Sequence, residues 1–262
     1  MMGAVTGLRR VKATRYVTPL REGGSLPAIV EADDDGLYVL KFRGAGQGVK
    51  ALIAELVAGE LARALGLPVP ELVFVELDAE LARTEPDPEI QDLIRASAGL
   101  NLALDYLPGS ITFDPVVDRA DAALASSVVW FDAFVTNVDR TPRNTNMLVW
   151  HRRLWLIDHG AALYFHHSWD DFRARSRSRF PKIKEHVLLP AADALLAADE
   201  ELSSRITPAL VGEVLALIPD GWLVEGSPFQ DASEHRAAYA EYLQTRLAAP
   251  RDFVTEAADA RA

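Results

Sequence analysis

A polar loop and the turn that follows it hold the residues of this chain whose types and order could do chemistry. Asp139 and Asn144 lie in one loop between a predicted helix and a predicted strand, and Asp158 follows the second strand of a predicted hairpin. A hairpin brings its two ends together, so Asp158 can lie beside Asn144. A carboxylate oxygen and an amide oxygen suit Mg²⁺, which binds through one or two carboxylates plus substrate phosphates. Asp139 would remain free to accept a proton from a hydroxyl group.

A lysine far upstream supplies the positive charge that this set needs. Lys41 ends the β-rich run LYVLK, on the third strand predicted from the N-terminus. A base, two metal ligands and a lysine on an early strand are together the parts that phosphoryl transfer requires. Each part alone also has an ordinary interpretation. Lys41 could be a surface residue, and Asp139 could form a surface ion pair with Arg140. Asn144 and Asp158 could be turn residues. Their joint order favours the chemical interpretation.

The elements predicted to position these residues divide the chain into a β-rich first part and a helix-rich remainder. Strands are predicted between residues 15 and 48, at 70–77 and at 100–107, with a small hairpin over 147–157. Helices are predicted at 49–65, 88–95, 115–138, 190–217 (in pieces) and 231–248, and the tail 251–262 is predicted to fray. The division near Pro108 gives two predicted domains, 1–107 and 108–262. We therefore predict an α+β, bilobed architecture with one long helix in the first lobe and a cleft between the lobes, where small ligands often bind.

Composition narrows the classes of function. The chain has 262 residues, no cysteine, and 27 basic against 38 acidic residues, for a formal net charge of −11. Thiolate-bound zinc and iron–sulfur sites are therefore excluded. The acidic balance disfavours a nucleic acid or an anionic membrane as partner. The N-terminal residues lack the apolar run of a secretory signal, and no run has the length of a membrane span, so the sequence predicts a soluble, cytoplasmic protein.

The spacing Asp-x-x-x-x-Asn followed by strand-Asp-x-Gly resembles the catalytic loop and metal motif of the protein-kinase-like fold. Within that fold, Asp139-Arg140 and the run IDHG at 157–160 are similar to phosphoinositide-kinase catalytic loops. Together with the run LARALGLPVP at 61–70, they make the chain most similar to HipA-like kinases, in a short form that lacks an extra N-terminal subdomain. The resemblance covers roughly residues 15–190.

The resemblance implies a role for particular positions. Lys41 would hold ATP phosphates, and Glu55 would pair with it, with Glu60 as the competing candidate. Asp139 would be the catalytic base, and Asn144 and Asp158 would bind the metal. The implied nucleotide contacts are a phosphate-covering loop at Gly23, Gly24 and Ser25 and an adenine-binding hinge at Asp105, Tyr106 and Leu107. Asn146 is a second amide in the catalytic loop that could support the loop or touch the metal.

Two departures limit what the resemblance implies. Asn137-Val138-Asp139 stands where ordinary protein kinases have His-Arg-Asp, and Asp158-His159-Gly160 replaces Asp-Phe-Gly. No Ala-Pro-Glu follows. The substrate pocket of ordinary protein kinases therefore cannot be carried over to this chain.

Basic residues concentrate at 173–184 in an otherwise acidic sequence. Their two-residue alternation would place them on one side of the backbone if the segment were extended. We therefore predict a docking role for this segment, towards an anion or a protein partner.

The expected function is transfer of the γ-phosphoryl group of ATP, with Mg²⁺ as cofactor, to a protein Ser or Thr, which is the acceptor that the resemblance implies. The motifs themselves define only the donor side. One alternative is a small-molecule or lipid kinase on the same fold, with the basic segment as a pocket wall. Another is a nucleotide-binding regulatory pseudokinase, against which the retention of Lys41, Asp139, Asn144 and Asp158 argues.

Overall fold

A computed structural model describes residues 7–20 and 26–261 of the chain, which form a mixed α and β structure. The strands are β1 (Arg10–Pro19), β2 (Ala28–Ala32), β3 (Leu37–Lys41), β4 (Leu72–Leu77), β5 (Gly99–Asp105), β6 (Ile111–Thr112), β7 (Met147–Trp150) and β8 (Arg153–Leu156). The α-helices are α1 (Val49–Ala64), α2 (Pro88–Ala96), α3 (Ala122–Phe134), α4 (Phe172–Arg175), α5 (Leu195–Arg205), α6 (Pro208–Ala216), α7 (Asp220–Val224), α8 (Ala232–Leu247) and α9 (Asp252–Arg261). Short 3₁₀ helices lie at Ala79–Thr84, Tyr164–His167, Pro181–Glu185 and Leu189–Ala191.

The first five strands close into a barrel in the order β1-β2-β3-β5-β4. All pairs are antiparallel except β1 with β4, which is parallel and places Arg10 opposite Phe74. Side chains alternate along β4, as strand geometry requires. Val73, Val75 and Leu77 face the barrel interior, whereas Leu72 and Phe74 belong to the core shared with the helices. A strand buried on both faces has no polar side, so β4 is apolar at five of its six positions.

Helix α1 fills the space beside the barrel. The sequence places an apolar stripe on one face, but the structure buries nearly every residue from Val49 to Ala62. The reason is that α1 packs on β4 and β5 and also on α6 and α7. It ends as predicted at a glycine: Gly66 has φ +82°, and the Leu67 N–H donates to the Ala62 carbonyl at 2.9 Å.

Helix α3 carries the polar loop and is shorter than predicted. Residues 115–121 do not join it, because Asp114 and Asp118 hold the preceding segment in a turn through side-chain bonds to backbone N–H groups. Asp121 then caps the helix by accepting from the N–H groups of Ala123 and Leu124. The helix ends at Phe134, and the predicted hairpin follows as β7 and β8, with β6 added at its edge.

The C-terminal residues form an ordered helix, so the prediction of a frayed tail was wrong. Phe253, Val254 and Ala257 of α9 are buried against α3 and α5. Arg251, just before α9, makes two bonds to the Asp199 carboxylate, at 2.6 and 2.7 Å. The apolar residues of this short segment have a core to join, and that contact outweighs the tendency of a chain end to fray.

The basic segment 173–184 is not extended, so the condition under which its charges would share one side is not met. It contains α4 and the 3₁₀ helix Pro181–Glu185, so its charges do not share one side. Several of them are also matched by carboxylates of this chain: Arg173 pairs with Glu241, and Arg179 with Glu256 and Asp259. Among the described residues no helix has the length and apolar character of a membrane span.

Candidate active site

A large cleft collects the residues singled out in the sequence. Its volume is about 1950 Å³, and it is lined by β3, the segment after β5, the loop after α3 and the turn after β8. Lys41, Asp139, Asn144 and Asp158 all line it, as do Asp105, Tyr106 and Leu107. Gly23, Gly24 and Ser25, the predicted phosphate-covering loop, lie outside the described residues. The remaining sequence candidates therefore meet in one place.

Lys41 joins two carboxylates from distant parts of the chain. Its Nζ donates to Glu55 Oε2 at 2.7 Å and to Asp158 Oδ1 at 2.5 Å. Burial would lower the pKa of Lys41, but the charges of Asp158 and Glu55 raise it above its ordinary value, so the ammonium stays protonated. The Glu55 side chain is fully buried, whereas that of Asp158 is 38% exposed. The ammonium thus lies between a fixed partner and a partner open to the cleft.

The identity of the lysine partner follows from these distances. Glu60, the competing candidate, pairs with Arg63 at 3.2 Å instead. On its other side Glu55 faces His159, whose Nδ1 lies 3.5 Å from Glu55 Oε1. Burial would raise the pKa of Glu55, but the charge of Lys41 and the nearby His159 hold that pKa well below its usual range. Glu55 is therefore ionised beneath the cleft.

Asp139 is held by two amide side chains. Asn144 Nδ2 donates to Asp139 Oδ2 at 2.8 Å. Asn146 Nδ2 donates to the main-chain oxygen of Asp139 at 2.9 Å and to Oδ2 at 3.3 Å. Partial burial and the nearby charge of Asp158 raise the pKa of Asp139, and the two amide bonds oppose that shift. The carboxylate is thus fixed in orientation and more basic than an exposed aspartate.

The donor set beside Asp139 fits a hard divalent cation. Asn144 uses its NH₂ group on Asp139, which leaves its carbonyl oxygen for another partner. Asp158 uses Oδ1 on Lys41, which leaves Oδ2. Both residues line the cleft, and oxygen ligands of this kind suit Mg²⁺ or Mn²⁺. Asp158 also has a left-handed backbone, φ +54°, a conformation that a non-glycine residue holds only when its surroundings enforce it.

The three residues of the predicted hinge differ in whether their backbone N–H groups already have a hydrogen-bond partner. The Asp105 N–H donates to the Glu71 carbonyl at 2.8 Å, and the Tyr106 N–H donates to the Leu37 carbonyl at 3.0 Å. Within the described part of the chain, the Leu107 N–H has no such partner. Leu107 is therefore the position of the three whose N–H group is left to bind a ligand.

A sealed ion network below the loop was missed at the sequence level. Arg140 Nε donates to Asp132 Oδ2 at 2.5 Å, and both side chains are fully buried. The ordinary interpretation of Arg140 as a surface residue is therefore wrong. His186 Nδ1 accepts from the Leu188 N–H, so its Nε2 carries the proton and donates to Asp132 at 2.9 Å. Burial would raise the pKa of Asp132, but Arg140 and His186 hold it well below its usual range.

This network reaches both segments that carry the candidate metal ligands. Arg140 also donates to the main-chain oxygens of Asn146 and Ile157, the latter at 3.4 Å. One guanidinium thus ties the end of the polar loop to the residue that precedes Asp158. The available signal was Asp132, a lone acidic residue in the apolar run of α3, because a buried charge requires a partner.

Comparison with known proteins assigns the chain to a family. The family model described as HipA-like kinase matches residues 14–251, which is most of the sequence. The chain belongs to the HipA-like kinase family. No curated protein sequence matches it.

Solved structures share the fold of this HipA-like kinase at low sequence identity. The proinflammatory kinase CtkA of Helicobacter pylori is 14% identical, with a TM-score of 0.56, over 96% of this chain and 98% of that one. The Golgi casein kinase with Mn and ADP bound is 11% identical, with a TM-score of 0.51, over 97% of this chain and 74% of that one. The family identifies a kinase, an enzyme that transfers phosphoryl groups, and the solved structures show the fold.

Proposed function

We propose that this chain is a protein kinase that uses ATP and Mg²⁺ to phosphorylate a Ser or Thr hydroxyl. The observation that carries the proposal is the convergence of Lys41, Asp139, Asn144 and Asp158 on one cleft. Their types match the needs of phosphoryl transfer, in which positioning and charge stabilisation supply most of the catalysis. A non-catalytic module would have no chemical need for all four.

Each side chain has a role in the proposed reaction. Asp139 accepts the proton of the acceptor hydroxyl as that oxygen bonds to the γ-phosphorus and ADP leaves with the electrons of the broken bond. Asn144 and Asn146 hold the Asp139 carboxylate in one orientation for this step. Lys41, positioned by Glu55, neutralises phosphate oxygens.

Asn144 and Asp158 would hold the divalent cation with their free oxygens. The bound cation supplies charge neutralisation to the β- and γ-phosphate oxygens. The similar Golgi casein kinase was solved with Mn and ADP bound, which supports a nucleotide with a divalent metal here. Mg²⁺ is proposed because two oxygen ligands plus phosphates suit it. Adenine would bind the backbone of the hinge at Asp105, Tyr106 and Leu107.

The proposed architecture is bilobed. Residues 1–107 would form the lobe that covers the nucleotide, with Gly23, Gly24 and Ser25 over the phosphates, and residues 108–262 would form the lobe with the polar loop. The cleft between them, about 1950 Å³, exceeds the roughly 300–1,000 Å³ typical of a site for one small ligand. The additional space supports a second substrate beside the nucleotide.

We propose that only part of the basic segment 173–184 contributes to substrate docking. Arg175 uses its guanidinium on the main-chain oxygens of Phe165 and Ser168. Arg177 and Lys184 have no ion-pair partner among the described residues, so these two are the charges left for a substrate. The double variant Arg177→Ala/Lys184→Ala should raise the KM of a protein substrate a few-fold and leave the KM of ATP unchanged. An unchanged KM for the protein would remove this segment from the proposal.

The decisive experiment measures phosphoryl transfer directly. Purified protein is incubated with Mg²⁺, γ-labelled ATP and a degenerate peptide library with a central Ser or Thr, beside Asp139→Ala and Asp158→Ala. The control variant is Asp92→Ala, an exposed aspartate of α2 whose carboxylate pairs with Arg95. We expect label in peptides for the wild type and the control, and a loss of at least 100-fold in the two site variants.

Two other outcomes would contradict the proposal. Label that enters only added small hydroxylated molecules or lipids would identify a kinase of another substrate class. ATP binding without turnover on any acceptor would contradict the enzymatic role of the four residues.

A further inference from the structure

A strand edge lies at the cleft that holds Asp139 and Asn144. β6 is an outer strand of the sheet β6-β7-β8, and it pairs with β7 through Ile111 opposite Val149 and Thr112 opposite Leu148. The Phe113 N–H donates to the Met147 carbonyl at 3.0 Å. In an antiparallel pair, backbone groups of successive residues point to opposite sides. The N–H and C=O of Thr112 therefore point away from β7.

These two groups of Thr112 are available to a ligand. Within the part of the chain that the structure describes, neither has a hydrogen-bond partner. Thr112 is exposed and lines the cleft together with Asp139 and Asn144. The edge is also attached to the polar loop, because Thr145 Oγ1 donates to the Phe113 carbonyl at 3.2 Å. A segment bound at this edge would thus lie in the cleft that holds the proposed base.

Exposed apolar side chains lie on β6 and in the turn that follows it. Ile111, Val116 and Val117 are 62%, 76% and 72% exposed. The turn that carries the two valines is well bonded: Val116 N–H donates to Asp114 Oδ1, and Asp118 Oδ2 accepts from the Asp114 N–H, both at 2.8 Å. Their exposure is therefore a property of a fixed turn and not of a frayed end. Natural proteins usually protect a strand edge with charges or a covering element, and an apolar edge beside a cleft indicates a binding surface.

We propose that the edge of β6 binds an extended segment of the protein substrate, which adds a strand to the β6-β7-β8 sheet. Main-chain bonds to Thr112 would hold the segment, and alternate apolar side chains would contact Ile111, Val116 and Val117. The acceptor Ser or Thr, on the same segment, would then face Asp139. This inference rests on the proposed protein kinase function and names its substrate class: an extended polypeptide with apolar residues near the acceptor.

The test uses a positional-scanning peptide library with a fixed central Ser or Thr and γ-labelled ATP. The variant Val116→Asp/Val117→Asp places charges on the proposed surface, and Thr112→Pro removes the free N–H without removing a bond to β7. Leu196→Asp is the matched control, because Leu196 is 70% exposed on α5, outside the cleft. We expect the wild type and the control to prefer apolar residues at alternate positions around the acceptor.

The two edge variants should lose that preference and show at least a tenfold higher KM for the preferred peptide, with the KM of ATP unchanged. The same preference and KM in all four proteins would overturn the docking inference and leave the kinase proposal standing. Peptide binding is measured in parallel by fluorescence anisotropy with the Asp139→Asn protein. Edge-dependent binding without phosphorylation by the wild type would overturn the kinase proposal and support the docking surface. Absence of both would overturn both.

Discussion

Two buried ion networks lie within this chain, and they differ in their access to solvent. The network of Asp132, Arg140 and His186 is sealed, with no exposure at the Asp132–Arg140 pair. The network of Lys41, Glu55 and Asp158 is sealed at Glu55 but reaches the cleft at Asp158, which is 38% exposed. A sealed charge can only keep its partners, whereas a charge at a cleft can exchange a partner for a ligand. The first arrangement suits positioning, and the second suits catalysis.

The largest effect on stability is expected from breaking the sealed network. Arg140→Met leaves Asp132 buried without its main partner, and we expect the free energy of unfolding to fall by about 3–5 kcal/mol. Urea denaturation measures it. Replacing Asp132 with Leu in the same protein should restore part of the loss, because the uncompensated charge is gone. Arg143→Met, an exposed arginine of the same loop, is the control; an equal loss there would contradict the comparison.

The open network should respond mainly in activity. Lys41→Met removes a charge aimed at the transferred phosphoryl group, and we expect kcat to fall by about 10²–10³-fold. The free energy of unfolding should fall less than in Arg140→Met, because Asp158 can be solvated, whereas the loss of Arg140 also removes the donor to the main-chain oxygens of Asn146 and Ile157. Labelled-ATP assays and urea denaturation of the same preparation give both values, with Lys182→Met as the exposed control. A stability loss as large as that of Arg140→Met would show that Lys41 is primarily structural.

The pH dependence of kcat tests Asp139, the proposed base. Asp139 acts as a base only when it is deprotonated, and partial burial raises its pKa. Activity should therefore fall, as pH decreases, at a higher pH than for an ordinary aspartate. In Asn146→Ala the hydrogen bonds from Asn146 that oppose this rise in the pKa of Asp139 are lost. The fall in kcat on the acidic side of the pH profile should therefore move to still higher pH. If the acidic side of the pH profile of kcat does not move in Asn146→Ala, Asp139 does not titrate in the rate-limiting step.

The smallest effect is expected at the exposed ion pairs of the basic segment. Arg173 pairs with Glu241 at the surface, where solvent and salt screen the charges. Arg173→Ala should leave the urea midpoint and the KM for peptide unchanged within error. A clear change in either would give this segment a role that its ion pairs do not indicate.

The residues proposed for catalysis could be selected from the sequence because their types and order carry the signal. Lys41 at the end of a strand, Asp139 and Asn144 in a polar loop, and Asp158 before a glycine can be identified without coordinates. The small hairpin was also confirmed, because its two strands are adjacent in sequence. What these cases share is that the decisive contacts are local or belong to a known motif.

The contacts that could not be predicted join distant residues. Nothing in the residues beside Arg140 shows that it is buried, because its partner Asp132 lies on α3 and its partner Ile157 follows β8. The tail was judged to fray because its partner, the core formed with α3 and α5, is not visible in its own sequence. The alternation of the basic segment gave no information on its carboxylate partners, because these lie on α8 and α9.

The parallel pairing of β1 with β4 has a consequence for the order of folding. β1 is the first described strand. Its partner β4, with which it closes the barrel, is separated from it in the sequence by β2, β3 and α1. Contacts of high sequence separation form slowly, because the loop between them must be ordered first. During synthesis β1 and β2 can pair as soon as they emerge, whereas closure waits until β4 and β5 are available. A barrel that closes late leaves its apolar interior exposed for longer, so nascent chains halted before β4 should be the most prone to aggregation.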